Sequence, residues 1–481
     1  MGATSVTGAG GPALAAADRE RLHGRLREAV RRARRARAGE ALASITVAVR
    51  RGIDPSAVVA ASRAAGEAWF CFEQPDRERF ALAGLGCGVA LEASGPDRFR
   101  DVAARWRTLV AGACADPADG PRGSGLVAVG GFAFAPDGGS APHWRGFAPA
   151  SLHVPEVALA RRGEEVRMTL AALVRPDDDE EALLARLAGR AERLRIAPLP
   201  LLDPAPAGRF DVASTMPPEH YENAVGRAVE HIRNGMFDKV VLAREVQVHA
   251  PAPHDPAALL GVLRDAFPSC HVFCAGRGES AFIAASPELL VRREGMRAGT
   301  LALAGSTRRS ADPAVDAHLG EQLLRSEKDR EEQAIVSRRI VRALRPHSVW
   351  VTAADEPVVV KMANIQHLAT PIRAQLAAPV SAIELAGLLH PTPAVGGEPL
   401  DVAGPLIPAL EGLDRGWYAG PVGWTDAGED GEFCVALRCA LLSSAVARCY
   451  AGVGVVRDSD PSAELAETEV KLQALLPVLA G

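Results

Sequence analysis

The apolar residues of this chain lie in many short segments, each bounded by glycine or proline, and this pattern limits the folds open to it. Three of these segments are residues 68–86 (AWFCFEQPDRERFALAGLG), 125–136 (GLVAVGGFAFAP) and 151–174 (SLHVPEVALARRGEEVRMTLAALV). Short apolar runs between turn-forming residues are typical of β-strands. The sequence therefore predicts an antiparallel sheet here, and the 46 glycines and 35 prolines indicate loops rather than disorder.

The second half of the chain alternates strand-like and helix-like segments. A proline-rich stretch at 197–208 precedes a predicted helix over 217–235, a strand over 237–248 and a helix over 327–344. A length of 481 residues suggests two domains or one large interwoven fold. We expect an Ala/Gly-rich leader with an Arg-rich helix (1–40), a sheet-rich subdomain (41–205) and a mixed α/β domain (206–481).

The composition excludes several classes of protein. A net charge of −5 gives no general attraction to nucleic acid. The exception is the segment from Arg19 to Arg37 with its nine arginines, but helix-forming residues and the acids Glu20 and Glu28 favour a solvated helix over a polyanion contact. With no apolar run of 18 residues, no signal-like start and no CxxC pair among eight cysteines, we expect a cytoplasmic protein with reduced thiols and no membrane contact.

Lysine is rare in this chain. Of 54 basic residues only four are lysines, and all of them follow residue 238. Lys239 opens the run KVVLA, whose apolar residues on both strand faces predict a sheet covered on both sides. A desolvated lysine can act as a base, whereas arginine stays protonated, so Lys239 is either a general base or a strand-end lysine that reaches solvent. Lys328 and Lys361 have weaker claims to a role in chemistry.

Three glutamates interrupt apolar surfaces of predicted helices. Glu332 lies on the same side of its helix as Val336 and Ile340, so we expect it to meet an arginine or a metal ion. In a helix that begins after Asp460, Glu464, Glu467 and Lys471 share one arc beside the stripe formed by Leu465, Leu472, Leu475 and Leu479. A surface Glu467–Lys471 pair remains possible, but glutamates from two helices also match the oxygen ligands that Mg²⁺ prefers.

A series of motifs over about residues 210–477 resembles the chorismate-utilising enzymes, specifically the isochorismate synthases. In order they are FDKVVLAR, SPELLVRR, LALAGSTRRS, EKDREEQAIV, IQHLATP, LLHPTPAVGGEP, YAGPVGW, VALRCALL and AGVGVVRDSDPSAELAETEVK. The resemblance implies a large interwoven α/β (α+β) fold, with central packed antiparallel-rich β-sheets flanked by helices. It also implies that 206–481 is a catalytic domain that binds chorismate, a small molecule, in a monomer or weak homodimer.

The resemblance assigns roles to individual residues. Lys239 matches the lysine that activates water for attack at C2 of chorismate, and Glu288 matches the acid that protonates the departing C4 hydroxyl. Further matches are the Mg²⁺ ligands and the substrate contacts: Glu332, Glu467 and the assisting Glu464 for the metal; Gly305, Ser306 and Lys471 for the ring carboxylate; Tyr418, Arg438 and the amide of Gly452 or Gly454 for the enolpyruvyl carboxylate; and His367 as a site histidine. One departure is Gln333, where relatives often have histidine beside the metal ligand.

Three other interpretations compete with an isochorismate synthase. Salicylate synthases keep the lysine and then eliminate pyruvate, and the segment HPTPA argues against them. Anthranilate and aminodeoxychorismate synthases use ammonia and lack the lysine base. A polyanion-binding protein on a degenerate enzyme scaffold is disfavoured by the intact Lys239, Glu288, Glu332 and Glu467. The sequence leaves open whether the product of the expected reaction enters the biosynthesis of menaquinone, of a catecholate siderophore or of another compound.

Overall fold

The computed structural model describes residues 13–36, 39–117, 119–204, 206–362 and 365–480. The Gly/Ala-rich leader up to residue 12 lies outside them. The helices are α1 (Ala16–Arg35), α2 (Pro55–Ser62), α3 (Arg98–Ala111), α4 (Glu180–Glu192), α5 (Pro218–Arg233), α6 (Pro256–Ala266), α7 (Pro313–Arg325), α8 (Glu327–Leu344), α9 (Ala382–Leu389), α10 (Leu400–Ala403), α11 (Leu406–Glu411), α12 (Pro461–Leu472) and α13 (Leu476–Leu479).

The strands follow the short apolar segments of the sequence. They are β1 (Ala41–Ala48), β2 (Gly66–Gln74), β3 (Phe80–Leu85), β4 (Val89–Ala93), β5 (Val127–Phe132), β6 (Ala150–Val154), β7 (Val157–Arg162), β8 (Glu165–Val174), β9 (Asp211–Ser214), β10 (Lys239–His249), β11 (His271–Gly278), β12 (Ser280–Ser286), β13 (Leu289–Glu294), β14 (Arg297–Arg308), β15 (Ser348–Ala353), β16 (Val358–Lys361), β17 (Ile365–Leu376), β18 (Gly397–Glu398), β19 (Pro421–Asp426), β20 (Gly431–Val435), β21 (Cys439–Ser443) and β22 (Val446–Val455). The strands predicted in segments 68–86, 125–136 and 151–174 are confirmed, as are the helix over 327–344 and the strand that starts near 237.

The strands form two large antiparallel sheets. The first has the order β1-β8-β7-β3-β2-β11-β12-β21-β22-β10-β18, with β9 added to β10. The second has the order β15-β17-β14-β13-β20-β19-β5-β6-β4, with β16 added to β17. In the first sheet β2 pairs with β11, and in the second β5 pairs with β19, so each sheet contains strands from both halves of the chain. This confirms the interwoven α/β fold, and the division of the chain at residue 205 stays a prediction.

The two sheets pack face to face through aromatic side chains. Phe72 and Phe282 of the first sheet and Phe132 and Phe433 of the second are fully buried in one apolar cluster. A second cluster covers the other face of the first sheet with α1, α4 and α6. The sheets are therefore central and the helices lie outside them, as the family resemblance implies. In the described part of the chain, no helix combines the length and apolarity needed to cross a membrane.

The Arg-rich segment forms helix α1, and several of its arginines are engaged with neighbouring groups of the fold. Arg21 and Arg25 pair with Asp116, and Arg31 and Arg32 pair with Glu28. Leu22, Leu26 and Val30 are buried on the opposite side. These contacts agree with a solvated helix docked on β1. Arg37 lies outside the described residues.

The C-terminal segment differs in one respect from the expectation. The leucine stripe was expected to extend along one helix to Leu479, but α12 ends at Leu472 and the separate α13 covers Leu476–Leu479. Pro477 explains the break, because it has no N–H to donate to the carbonyl four residues earlier. Asp460 caps α12 as predicted, accepting a hydrogen bond from the Ala463 amide.

A single buried carboxylate joins the two sheets. Glu432 of β20 has a side chain that is 1% exposed and accepts two hydrogen bonds from Arg292 at 2.5 and 2.9 Å. It also pairs with Arg77 at 2.9 Å, and it contacts His271 at 2.9 Å and Gln74, both from the first sheet. Although burial raises its pKa, the hydrogen bonds from His271 and Arg292 hold the pKa of Glu432 well below its ordinary value.

We predict that Glu432→Gln lowers the free energy of unfolding by about 3 kcal/mol, because the arginines around it lose their buried counter-ion. Urea denaturation at pH 7, followed by tryptophan fluorescence, measures this loss. Glu294→Gln is the matched control: Glu294 pairs with Arg77 and Arg122 but is 51% exposed, so its replacement should cost less than about 1 kcal/mol. Equal losses in the two variants would contradict the prediction.

Candidate active site

One cavity between the two sheets collects almost all of the candidate residues. Strands β10 and β22 of the first sheet and β14 and β17 of the second contribute to its wall, together with helices α8 and α12. Every candidate residue except Lys239 and Glu464 lines it. The remaining lining residues are Val241, Pro287, Leu303, Ala304, Ala394, Val395, Leu437, Tyr450 and Ala451.

Lys239 is buried next to the cavity lining and is paired with Glu332. Its side chain is 0% exposed, and its Nζ donates to Glu332 Oε1 at 2.7 Å. The first residue of β10 is therefore buried, as the two-sided apolar pattern predicts. Glu332, from α8, does meet a cation, and in this structure the cation is a lysine rather than an arginine or a metal ion.

Glu288 is the acidic group of the cavity that favours a proton. It lies between β12 and β13, where it is 5% exposed. Burial raises its pKa to about 8, although the positive charges of Lys239, Arg438 and Lys471 oppose the shift. Glu288 is therefore mainly protonated at neutral pH and can donate a proton to a bound molecule.

Glu467 of α12 connects three groups of the cavity. Its Oε1 accepts hydrogen bonds from Ser306 Oγ at 2.8 Å and from Lys471 Nζ at 2.8 Å. Lys471 also donates to the carbonyl of Gly452 at 2.9 Å. Burial raises the pKa of Glu467, but Lys471 and Ser306 outweigh this effect and lower it to about 2. The Glu467–Lys471 pair expected from the i, i+4 spacing thus exists at the cavity rather than on the outer surface.

Glu464 lies one helical turn earlier and does not line the cavity. Its side chain is 2% exposed, and it accepts a hydrogen bond from Lys328 Nζ at 2.9 Å. Burial lowers the pKa of Lys328, but the hydrogen bond to Glu464 and the charges of Glu464, Glu467 and Glu332 raise it overall. Lys328 therefore lies within electrostatic reach of all three predicted metal ligands.

Asp329 is a fourth carboxylate at this place, and sequence reasoning missed it. Burial raises its pKa, with a further contribution from the charges of Glu332 and Glu467. A Cβ on Gly305 would lie 2.9 Å from the Asp329 Cβ, so Asp329 lies directly against β14. We call Asp329, Glu332, Glu464 and Glu467 the carboxylate cluster. The sequence did contain a signal for Asp329: Lys328 and Asp329 precede Glu332 by four and three residues, and residues at this spacing are neighbours on one face of a helix.

The carboxylate cluster has the donor chemistry of a Mg²⁺ site. Carboxylates from two helices lie within electrostatic reach of one cationic group, Lys328, and hard oxygen ligands suit Mg²⁺. In the described ranges, no three acidic, histidine or cysteine side chains are arranged to hold a metal ion as they stand. Three of the four carboxylates are engaged by lysines instead, so the residues fit the ion only if a lysine gives up its partner.

Arg438 supplies a positive charge to the cavity. Within the described residues its guanidinium makes no ion pair or hydrogen bond, although it is surrounded by protein. Its backbone has φ +50°, a strained value for a residue other than glycine. Nearby, Tyr418 is 2% exposed and stacks on Tyr450 with ring centroids 5.2 Å apart. Arg438 is thus available to an anion.

His367 of β17 presents one ring nitrogen without a protein partner. Its Nδ1 lies 3.3 Å from the carbonyl of Gly305, so Nδ1 carries the proton of that hydrogen bond. The buried Nε2 has no partner among the described residues. Burial lowers the pKa of His367 to about 3, helped by the charges of Arg438 and Lys471. The ring is therefore neutral, and Nε2 can accept a hydrogen bond.

Gly452 and Gly454 allow side chains from other elements to approach β22 closely. A Cβ on Gly452 would lie 2.8 Å from the Tyr418 hydroxyl. A Cβ on Gly454 would lie 2.3 Å from Glu332 Oε1 and 2.8 Å from Lys239 Cε. Distances below 3 Å are not tolerated, so glycine at 454 is needed for the Lys239–Glu332 pair to sit where it does.

Gln333 points away from the carboxylate cluster. Its Nε2 donates to the Ala302 carbonyl at 2.9 Å and to Thr370 Oγ1 at 3.0 Å. It therefore fixes α8 to β14 and β17, and Glu332 receives no hydrogen bond from it. At the position of this departure from the family pattern, the glutamine attaches the helix to the second sheet.

A buried ion pair behind the cavity was also missed from the sequence. Arg415 pairs with Glu411 and donates to the carbonyls of Val395 at 2.8 Å and Val241 at 2.9 Å. Val395 and Val241 both line the cavity, and the guanidinium also lies over the Tyr418 ring. One arginine thus contacts three residues of the cavity lining: Val241, Val395 and Tyr418. The sequence signal was the i, i+4 spacing of Glu411 and Arg415.

Comparison with known proteins places the chain in a family. The family model for chorismate binding enzymes matches residues 28–480. The salicylate biosynthesis isochorismate synthase of Pseudomonas aeruginosa is 40% identical over 85% of this chain and 84% of its own length. The isochorismate synthase MenF of Bacillus subtilis is 32% identical over 86% and 88%. The chain therefore belongs to the chorismate-binding enzymes.

Solved structures agree with this assignment. The menaquinone-specific isochorismate synthase MenF from Escherichia coli superposes with a TM-score of 0.76 at 26% identity, covering 95% of this chain and all of the other. A putative 2,3-dihydroxybenzoate-specific isochorismate synthase, DhbC, from Bacillus anthracis gives 0.68 at 29% identity, covering 88% and 98%. The α/β fold expected from the motifs is thus the fold of the family.

We predict that Gly454→Ala lowers chorismate turnover by about a hundredfold, because the added Cβ displaces the ends of Lys239 and Glu332 by about an ångström. Both are flexible side-chain ends, so the melting temperature should change little. Gly299→Ala in β14 is the control, since a Cβ there meets no atom within 4 Å. Steady-state kinetics and thermal melts test this, and full activity in Gly454→Ala would contradict it.

Proposed function

We propose that this protein is an isochorismate synthase that converts chorismate to isochorismate in a Mg²⁺-dependent reaction. In this reaction water adds at C2 of the ring and the C4 hydroxyl leaves, so the product is an isomer of the substrate. The names of the relatives support this proposal. The observation that carries it is a protonated acid, Glu288, in the cavity next to a buried lysine, Lys239, whose charge acts on Glu288.

Lys239 and Glu288 would act as a base and acid pair. The amine form of Lys239 accepts a proton from the attacking water as the oxygen bonds to C2. The ring double bonds shift, the C4–O bond breaks, and the hydroxyl leaves as water after receiving the proton of Glu288. Its raised pKa keeps that proton available at neutral pH. No covalent enzyme intermediate is needed.

The cavity would hold chorismate by its two carboxylates. Arg438, which has no acidic partner among the described residues, is the group for the enolpyruvyl carboxylate, with Tyr418 and the amide of Gly452 or Gly454 beside it. Ser306, Gly305 and Lys471 would contact the ring carboxylate. His367 would accept a hydrogen bond at Nε2 from a substrate hydroxyl, since its Nδ1 is occupied by Gly305.

Glu332, Glu467 and Glu464 would hold Mg²⁺, with Asp329 as a further carboxylate of the cluster. The ion would supply positive charge to the ring carboxylate of the substrate. Gly305 and Gly454 allow Asp329 and Glu332 to approach β14 and β22 closely, and the carboxylates would take up the ion once a lysine releases its partner. We further propose that the chain acts as a monomer or weak homodimer on this small-molecule substrate.

The alternative is a salicylate synthase, which would form isochorismate and then eliminate pyruvate. Lys239 serves either chemistry, so the site alone favours neither. The name of the Pseudomonas aeruginosa relative, a synthase of isochorismate for salicylate biosynthesis, supports a protein that stops at isochorismate. The name of the Escherichia coli structure mentions menaquinone, so both salicylate and menaquinone biosynthesis are open to the product.

We expect the purified protein to convert chorismate with Mg²⁺ to isochorismate, with no salicylate or pyruvate. Chromatography of the products and a coupled pyruvate assay distinguish the two syntheses. Excess chelator should abolish turnover, and added Mg²⁺ should restore it. Lys239→Met should lower turnover at least a thousandfold while keeping a similar side-chain volume. Salicylate as the main product, or near-normal activity of Lys239→Met, would refute the proposal.

The pKa of Glu288 predicts a loss of activity at alkaline pH. The acid form is the donor, so kcat/KM should fall as pH rises through about 8. A pH profile from 6 to about 9.5 at saturating Mg²⁺ measures this. His367→Gln should keep the same alkaline limb, because the pKa of His367 is about 3 and it does not titrate in this range. A flat profile in the wild type would exclude Glu288 as the proton donor.

A further inference from the structure

The three lysines that face the carboxylate cluster differ in their access to solvent. Lys239 is 0% exposed and Lys471 is 12% exposed, so each is held within the fold. Lys328 is 42% exposed, although its partner Glu464 is only 2% exposed. Among these lysines, Lys328 can therefore exchange its carboxylate for water at the lowest cost in desolvation.

The position of Lys328 makes it the natural competitor of a metal ion. It precedes Glu332 by one helical turn on α8, and its Nζ donates to Glu464 of α12 at 2.9 Å. The ammonium group thus bridges the same two helices that supply the carboxylate oxygens. A hydrated divalent cation needs those oxygens and would be repelled by a positive charge already among them.

The balance of charge around the carboxylate cluster gives a reason for a lysine at position 328. The carboxylate cluster has four formal negative charges, and the three lysines offset three of them. Without Lys328, Glu464 would be a buried carboxylate with no cation in hydrogen-bond contact among the described residues. An unpaired buried charge is costly, so a lysine here stabilises the protein before the metal binds.

We propose that Lys328 is an exchangeable counter-ion: it neutralises Glu464 in the metal-free protein and moves into solvent when a divalent cation binds. This rests on the proposed metal site. Lys328 then sets the metal affinity of the protein, because binding must break its hydrogen bond to Glu464. It is a positioning residue, since it touches Glu464 rather than the substrate.

Calorimetric titration of MgCl₂ into the full chain without chorismate tests this. Lys328→Met should bind Mg²⁺ about tenfold more tightly than the wild type, the value of one charge-assisted hydrogen bond with an exposed partner. The metal-free variant should melt at a lower temperature, and saturating Mg²⁺ should raise its melting temperature by more than in the wild type. Lys328→Gln should behave in the same way and serves if the methionine variant is insoluble.

Lys361→Met is the matched control. Lys361 is 45% exposed and pairs at 2.8 Å with Asp316, which is 6% exposed, but this pair lies outside the cavity. Its replacement should leave the Mg²⁺ dissociation constant unchanged. Unchanged or weaker Mg²⁺ binding in both Lys328 variants would overturn the role of Lys328 alone. Absence of Mg²⁺ binding in the wild type as well would overturn the metal site and the Mg²⁺ dependence of the proposed function.

Discussion

The packing of two antiparallel sheets against each other is the constraint on which the rest of this protein depends. The cavity lies between them, with β10 and β22 on one side and β14 and β17 on the other. Residues far apart in the chain meet there because each sheet is completed by strands of both halves. Glu432 adds a polar connection between the sheets, because it is hydrogen-bonded to groups of both. Such bonds fix the position of one sheet relative to the other, which apolar packing alone would not do.

Charge within this packing is arranged in pairs rather than spread evenly. Glu332, Glu464 and Glu467 each have a lysine, whereas Glu288 has none in contact and keeps a proton. Arg438, in contrast to these paired glutamates, has a positive charge without an acidic partner among the described residues. The site thus combines a protonated acid, an arginine without an acidic partner and a group of carboxylates, and in the proposed reaction these would supply a proton and opposing charges to the substrate.

Part of this arrangement could be predicted from local patterns. The burial of Lys239 was predicted from the apolar residues on both faces of its strand. The bounds of α8 were predicted from the helical spacing of its apolar residues and from the charged residues of its first turn. The partner of Glu332 could not be predicted, since a carboxylate in an apolar stripe only requires some cation. The Arg415 contacts with Val241 and Val395 depend on three elements that no local pattern relates.

The sequence by itself determined the strands in segments 68–86, 125–136 and 151–174, the helix over 327–344 and, through ordered motifs, the family and its candidate residues. Hydrophobic period and turn residues act over a few positions, so they are legible in a single chain. Only the tertiary structure decided which lysine meets which carboxylate, why Gly454 must lack a side chain, and that Glu288 holds its proton. Those features arise from distances and desolvation between distant segments, and these exist only once the sheets have packed.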